Sequence, residues 1–181
     1  MHPRTVVVLS LAKAFSASGA AMVFPDREMA KLVRTCGSTM IFSGPLQPAL
    51  LGAAVASARV HLSDDLVDLQ SRLGERIALF NSLAHEADLL LATPAATPIR
   101  FVRIGSEADA MDITERLMSE GFYANVAVFP AVSKGRAGIR VALTVHQTLD
   151  DVRDIVGALS SLCRRARQKG IRSEPNGPLL R

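Results

Sequence analysis

The chain has 181 residues and a formal net charge of +4; 49% of its residues are hydrophobic and 4% aromatic, with no Trp and one Tyr. That apolar share allows a sizeable core of small and aliphatic side chains and excludes intrinsic disorder, while the shortage of aromatic faces excludes stacking-based recognition of single-stranded nucleic acid. The basic excess lies in the tail (Arg164, Arg165, Arg167, Lys169, Arg172 and Arg181 against Glu174), so the body is close to neutral and no nucleic-acid partner is expected.

Residues 5–9 are a β-branched run that reads as a strand buried on both faces. Residues 10–19 are small and polar and end in Gly19, which predicts a loop. Residues 20–24 form a second short apolar strand. Pro25, Asp26 and Glu28 then open a helix to about residue 35, since proline and acids suit a first turn. A linker over 36–48 carries Gly37, Gly44, Pro45 and Pro48. From Ala49 a helix of small residues runs to about His61. Ser63, Asp64 and Asp65 cap another toward Glu86, with apolar positions at Leu66, Leu69, Leu73, Ile77 and Phe80. Two helices and one long bent helix both satisfy this pattern. After Pro94 and Pro98 come a strand over 99–104, an amphipathic helix over 106–120 ended by Gly121, and a strand over 122–129. A loop over 130–138, a strand over 139–144 and a helix from Leu149 to about residue 165 complete the order. Strand, helix, strand, strand, helix predicts a small α+β domain, a short sheet with helices on one face.

Cys36 and Cys163 are far apart and in no metal-ligand spacing, so a reduced, cytoplasmic chain without a bound metal is expected. Residues 4–21 mimic a secretion signal, but Lys13 interrupts the apolar run. The longest apolar stretch, 49–58, is too short to span a bilayer.

Lys13 is the first candidate for chemistry. It follows a strand and sits among Ser10, Ser16 and Ser18. One reading is a solvated loop lysine. The other is a lysine whose free amine attacks an aldehyde, with small neighbours leaving room for a flat ring and hydroxyls available to a phosphate. Arg140 likewise reads either as a surface strand arginine or as a guanidinium fork for a carboxylate.

Three segments carry a resemblance. The string from Ser10 to Gly19 around Lys13, the string Ile41-Phe42-Ser43-Gly44-Pro45-Leu46-Gln47-Pro48, and Pro130 to Gly135 followed by Ile139-Arg140-Val141-Ala142-Leu143-Thr144 stand in one order at fitting spacings. Together they resemble the pyridoxal-phosphate-dependent α-oxoamine synthases of the fold-type I aminotransferase class I/II superfamily, over about residues 4–162. The resemblance implies that Lys13 forms the Schiff base with pyridoxal 5'-phosphate and later serves as base at the substrate Cα. It implies that Ser10 contacts the cofactor phosphate, that Ser43 belongs to a segment reaching the neighbouring subunit's cofactor in a dimer, and that Arg140 holds the substrate carboxylate. The implied reaction condenses an amino acid with an acyl-CoA or acyl-carrier thioester.

The chain departs from the family pattern at several positions. Ser16 stands for a usual Gly, Gly44 for a common Thr, and Gly138 for an arginine two residues before Arg140. Gln147 stands near a common His, with His146 one position early and read as structural. Family members take an acidic partner for the pyridine nitrogen, a ring-stacking His and most of the phosphate loop from an N-terminal half. Here Asp26, Asp64 and Asp65 all read as helix caps. Two strands and a helix cannot make an independent core, so the first lobe is expected to complete a larger sheet. The expected fold is therefore α/β plus α+β. Residues 1–48 would be part of a large cofactor-binding domain (strand, lysine loop, strand, helix), 49–94 connecting helices, 95–163 a small α+β domain, and 164–181 a basic, disordered tail. The partner would be a second copy or an N-terminal half. A split or truncated subunit without catalysis and an aminotransferase-like outcome remain as alternatives.

Overall fold

A computed structural model of the chain describes residues 2–168. The chain divides into two units, Met1–Val67 and Asp68–Arg181. Residues 169–181 of the expected tail lie outside the described residues.

The first unit begins with β1 (Val7–Ser10) and β2 (Ala20–Val23), paired antiparallel with Val7 opposite Val23 and Ser10 opposite Ala20. The β-branched residues form a strand as expected, but the burial expected of it is not found among the described residues. Val8 is 64% and Leu9 48% exposed. A two-stranded ribbon has no third strand and no helix layer to cover its faces, so its apolar side chains stay open. Helix α1 (Arg27–Cys36) starts two residues later than the sequence suggests, because Asp26 is its N-cap and accepts a 2.7 Å bond from the Met29 amide. Pro25 lies just before the cap. The linker contains a short 3-10 turn, Ser38–Met40. Helix α2 (Pro48–His61) then starts with proline at its first turn, where a missing N–H costs nothing.

Of the two helical alternatives, the structure has separate helices. α2 ends at His61 with Leu62 as its C-cap, and α3 (Asp65–Glu86) begins after a turn in which the Ser63 hydroxyl donates to the Val60 carbonyl at 3.0 Å.

In the second unit, β3 (Ile99–Gly105), β4 (Asn125–Ala127) and β5 (Ala137–Ala142) form an antiparallel sheet in the order β3-β5-β4. β4 is shorter than the expected 122–129. Gly121, with φ +91°, ends α4 (Glu107–Ser119), and the Phe122 amide is still bonded back to Leu117 at 2.8 Å, so pairing cannot start at 122. The outer edge of β3 is covered by residues 90–92, whose backbone bonds Phe101 and Arg103. α4 packs on all three strands and on α5 (Leu149–Gln168). Val102, Ile104, Ile139 and Val141 of the sheet meet Ile113 and Leu117 of α4, Val152 and Leu159 of α5, and Ile77, Phe80 and Ala84 of α3 in one apolar cluster. The second unit therefore reaches back into the expected 49–94 segment, because α3 supplies core residues. The α/β-plus-α+β class and the helices over a small sheet are as the sequence predicts.

Among the described residues, no helix is long and apolar enough to cross a membrane, and no group of three or more His, Cys, Asp or Glu is placed to hold a metal ion.

Candidate functional site

Lys13 sits in the loop joining β1 to β2. The loop is closed by its own backbone. The Leu11 amide donates to the Gly19 carbonyl at 3.0 Å, the Ala17 amide to Leu11 at 2.9 Å, and the Ser16 amide to the Lys13 carbonyl at 2.9 Å. Ser16 takes a left-handed φ of +49°, a conformation that glycine adopts freely and a side chain adopts at a cost of about 1–2 kcal/mol. This explains why a glycine suits that position. At the loop's start, Ser10 Oγ accepts from the Ala12 amide at 3.3 Å and keeps its own hydrogen to donate. The Lys13 side chain is exposed and makes no hydrogen bond or ion pair among the described residues.

Two contacts brace this loop within the first unit. The Phe15 ring stacks on the His61 ring at the end of α2, centroids 4.6 Å apart and planes inclined by 24°. A methyl group added at Gly19 would stand 3.3 Å from Leu46 Cδ1, so Leu46 lies directly against the loop's exit. Leu46 belongs to the same segment as Ser43, whose hydroxyl donates to the Met40 carbonyl at 3.4 Å. Phe42, beside it, has φ +64° and is fully exposed. Ser10, Lys13 and Ser43 thus share the first unit. Gly44, where a threonine was the family expectation, faces open space. Asp26 is engaged in capping α1, as its sequence context predicts.

Arg140 belongs to the second unit. It is exposed on the sheet face away from the apolar cluster, paired in register with Phe101 on one side and Asn125 on the other, and donates to Asn125 Oδ1 at 3.2 Å. Gly138 lies on the same face two residues earlier. A methyl group there would fall 2.7 Å from the Phe101 ring, so that ring fills the space a longer side chain would need. His146 is exposed in the turn before α5, where its amide donates to Thr144 Oγ1. Gln147 ties that turn, accepting from the Thr144 amide at 2.8 Å and donating to the Ala142 carbonyl at 3.1 Å.

Sequence reasoning missed two features. Arg100 is fully buried and donates to Asn81 Oδ1 at 2.8 Å and to the Ala95 and Thr93 carbonyls at 2.7 and 3.1 Å. Burial pushes its pKa below the ordinary arginine value. Alternation with Val102 and Ile104 was the available signal, since it sets Arg100 on the inward face. The Phe15–His61 pair had no comparable signal, because 46 residues separate partners that only the fold joins.

The sequence model of one family, aminotransferase class I and II, matches residues 1–159. The chain is 33% identical over 120 residues to 8-amino-7-oxononanoate synthase 1 of Bacillus subtilis (strain 168), covering 66% of this chain and 30% of that protein. The solved 8-amino-7-oxononanoate synthase of Francisella tularensis superposes with a TM-score of 0.76 at 23% identity, over 92% of this chain and 47% of that one. A serine palmitoyltransferase from S. paucimobilis, solved with bound PLP–myriocin aldimine, gives a TM-score of 0.80 at 20% identity, over 92% of this chain and 41% of that one. These two likenesses speak for the fold. The chain spans less than half the length of each of these relatives.

Proposed function

The chain belongs to the aminotransferase class I and II family, and from that premise we propose that it is the lysine-bearing part of a pyridoxal-phosphate-dependent α-oxoamine synthase, joining the Cα of an amino acid to the acyl group of a thioester. The observation that carries the reading is Lys13, an exposed amine with no hydrogen bond or ion pair among the described residues, on a loop closed by its own backbone, with the Ser10 hydroxyl at its start. The donor set fits an aldehyde that bears a phosphate: a primary amine for the carbonyl and a hydroxyl hydrogen for the phosphate oxygen. The cofactor, when bound, supplies a ring that withdraws the electron pair released at the substrate Cα.

The chain's own residues do the rest. The Lys13 amine would hold the cofactor and move the proton at the substrate Cα. Ser10 orients the phosphate by donating to it. The Arg140 guanidinium grips the amino acid's carboxylate; Asn125 steadies the fork from the next strand. The carbon–carbon bond forms as the thioester C–S bond breaks and CoA or a carrier thiol leaves. Ser43 reaches toward the cofactor of a neighbouring subunit in a cytoplasmic homodimer. Asp26, whose carboxylate caps α1, is not free to pair with the ring nitrogen.

Incubating the chain with pyridoxal phosphate, reducing with borohydride and mapping the peptides tests this reading. Label is expected on Lys13. Label on Lys31, Lys134 or Lys169 instead sinks the assignment, and no label at all favours a subunit without catalysis.

A further inference from the structure

Lys13 is useful for chemistry only if its amine is held in one place, yet its side chain is exposed and no residue of its loop is fully buried. The backbone bonds close the loop on itself but do not anchor it to another element. The anchoring comes from Phe15, two residues on, whose ring stacks on His61 at 4.6 Å. His61 is itself held. Its Nδ1 lies 2.8 Å from the Ser57 carbonyl one helical turn back, and a carbonyl only accepts, so Nδ1 carries the hydrogen. Ser57 Oγ stands 3.4 Å from the same nitrogen. The bond at the ring's edge fixes its plane and leaves its face for Phe15. Leu46, just before α2, lies against Gly19 at the other end of the loop. The two ends of the α2 segment therefore touch the two sides of the lysine loop.

We propose that His61 is a positioning residue for Lys13: its ring, oriented by Ser57, clamps Phe15 and so sets where the loop holds the amine. The chemical role of Lys13 rests on the function proposed above; the clamp itself rests on the geometry. His61 touches neither substrate nor cofactor in this account. It acts only through the loop, by limiting the positions the amine visits.

Two substitutions in the full chain separate the clamp from a general folding role. His61→Ala removes both the stack and the edge bond, and His61→Phe keeps an aromatic face. Amide exchange of Ser16 and Ala17, whose N–H groups close the loop, reads the clamp without any cofactor. His61→Ala should speed their exchange about 2- to 10-fold, the loss expected of one aromatic pair, while the Ile139 amide in the other unit stays unchanged. Borohydride trapping of pyridoxal phosphate reads the consequence, with Lys134 as internal reference. The ratio of Lys13 to Lys134 label should fall in His61→Ala and recover in His61→Phe. Unchanged exchange in His61→Ala, or a His61→Phe chain as impaired as His61→Ala, overturns the proposal. If the loop amides respond but the unsubstituted chain takes no label at Lys13, the reading of Lys13 fails and the clamp stands.

Discussion

Gly138 and Phe101 illustrate how one residue's absence of a side chain is used by another. On the outer face of the sheet the Phe101 ring lies over Gly138 and stands in register with Arg140. An aromatic ring covering a strand glycine restores the burial that the glycine lacks. A Gly138→Ala substitution places a methyl group against that ring and the backbone of β3, so it should destabilise the second unit by about 1–3 kcal/mol, the range for overpacking. A urea midpoint unchanged from the parent would count against this packing. Arg100 makes the complementary point on the inner face. Its buried guanidinium is met by oxygens of Asn81, Ala95 and Thr93. It ties α3 and the 93–95 segment to the first inward position of β3. Asn81→Ala withdraws one acceptor from a buried cation and should cost about 1–3 kcal/mol by the same measurement, with little effect on Lys13 labelling.

At the scale of elements, the helices are set by their ends. Asp26 caps α1, and Ser106 caps α4 by accepting from the Asp109 amide at 3.4 Å. The start of α5 is reciprocal. Asp151 Oδ2 accepts from the Thr148 amide at 2.7 Å and its hydroxyl at 2.8 Å, while the Asp151 amide donates back to Thr148 Oγ1 at 3.1 Å. The Thr148 backbone bond, then its hydroxyl bond, hold the Asp151 carboxyl below the ordinary aspartate range against a small opposing effect of burial. A carboxyl whose pKa is lowered in the folded state stabilises that state above its unfolded pKa, and the contribution is lost as pH falls through the lowered, folded value. The cap is thus fully present at neutral pH. The prediction is that Asp151→Asn flattens the part of the acid unfolding profile that lies between those two pKa values. A profile of unchanged slope there would show that the cap does not couple to stability.

For the whole molecule, the two units differ in kind. Among the described residues of the first unit none is buried, while the second contains the full apolar cluster from Ile77 to Cys163. Val8, Leu9, Met22, Leu32 and Phe42 are all large, apolar and exposed. Uncovered strands with open apolar faces associate or stay labile. Limited proteolysis of the full chain at low concentration should therefore leave a resistant fragment that begins within α3, with cuts in the first unit that diminish as concentration rises. Uniform protection from the start of the chain at low concentration would refute this.

What the sequence determined by itself is what depends on neighbours in the chain. Asp26 reads as a cap because a cap bonds an amide three residues on. The helix–strand order from residue 99 was legible because apolar spacing of about 3.6 and 2 residues is a local property. The lysine loop was legible as a motif, with Ser10, Lys13 and Gly19 in one short string. Tertiary structure decided the rest, since burial and pairing join residues far apart. The run at 5–9 reads as buried, but whether it is covered depends on what packs against it, and among the described residues its only strand partner is β2. Arg100, on β3, needed Asn81 from α3 to show why an arginine could face inward. Gly138 needed Phe101 from the neighbouring strand, and the Lys13 loop needed His61 from the far end of α2. No string of adjacent residues encodes those contacts, because the chain's periodicity says which face a side chain takes and not what meets it there.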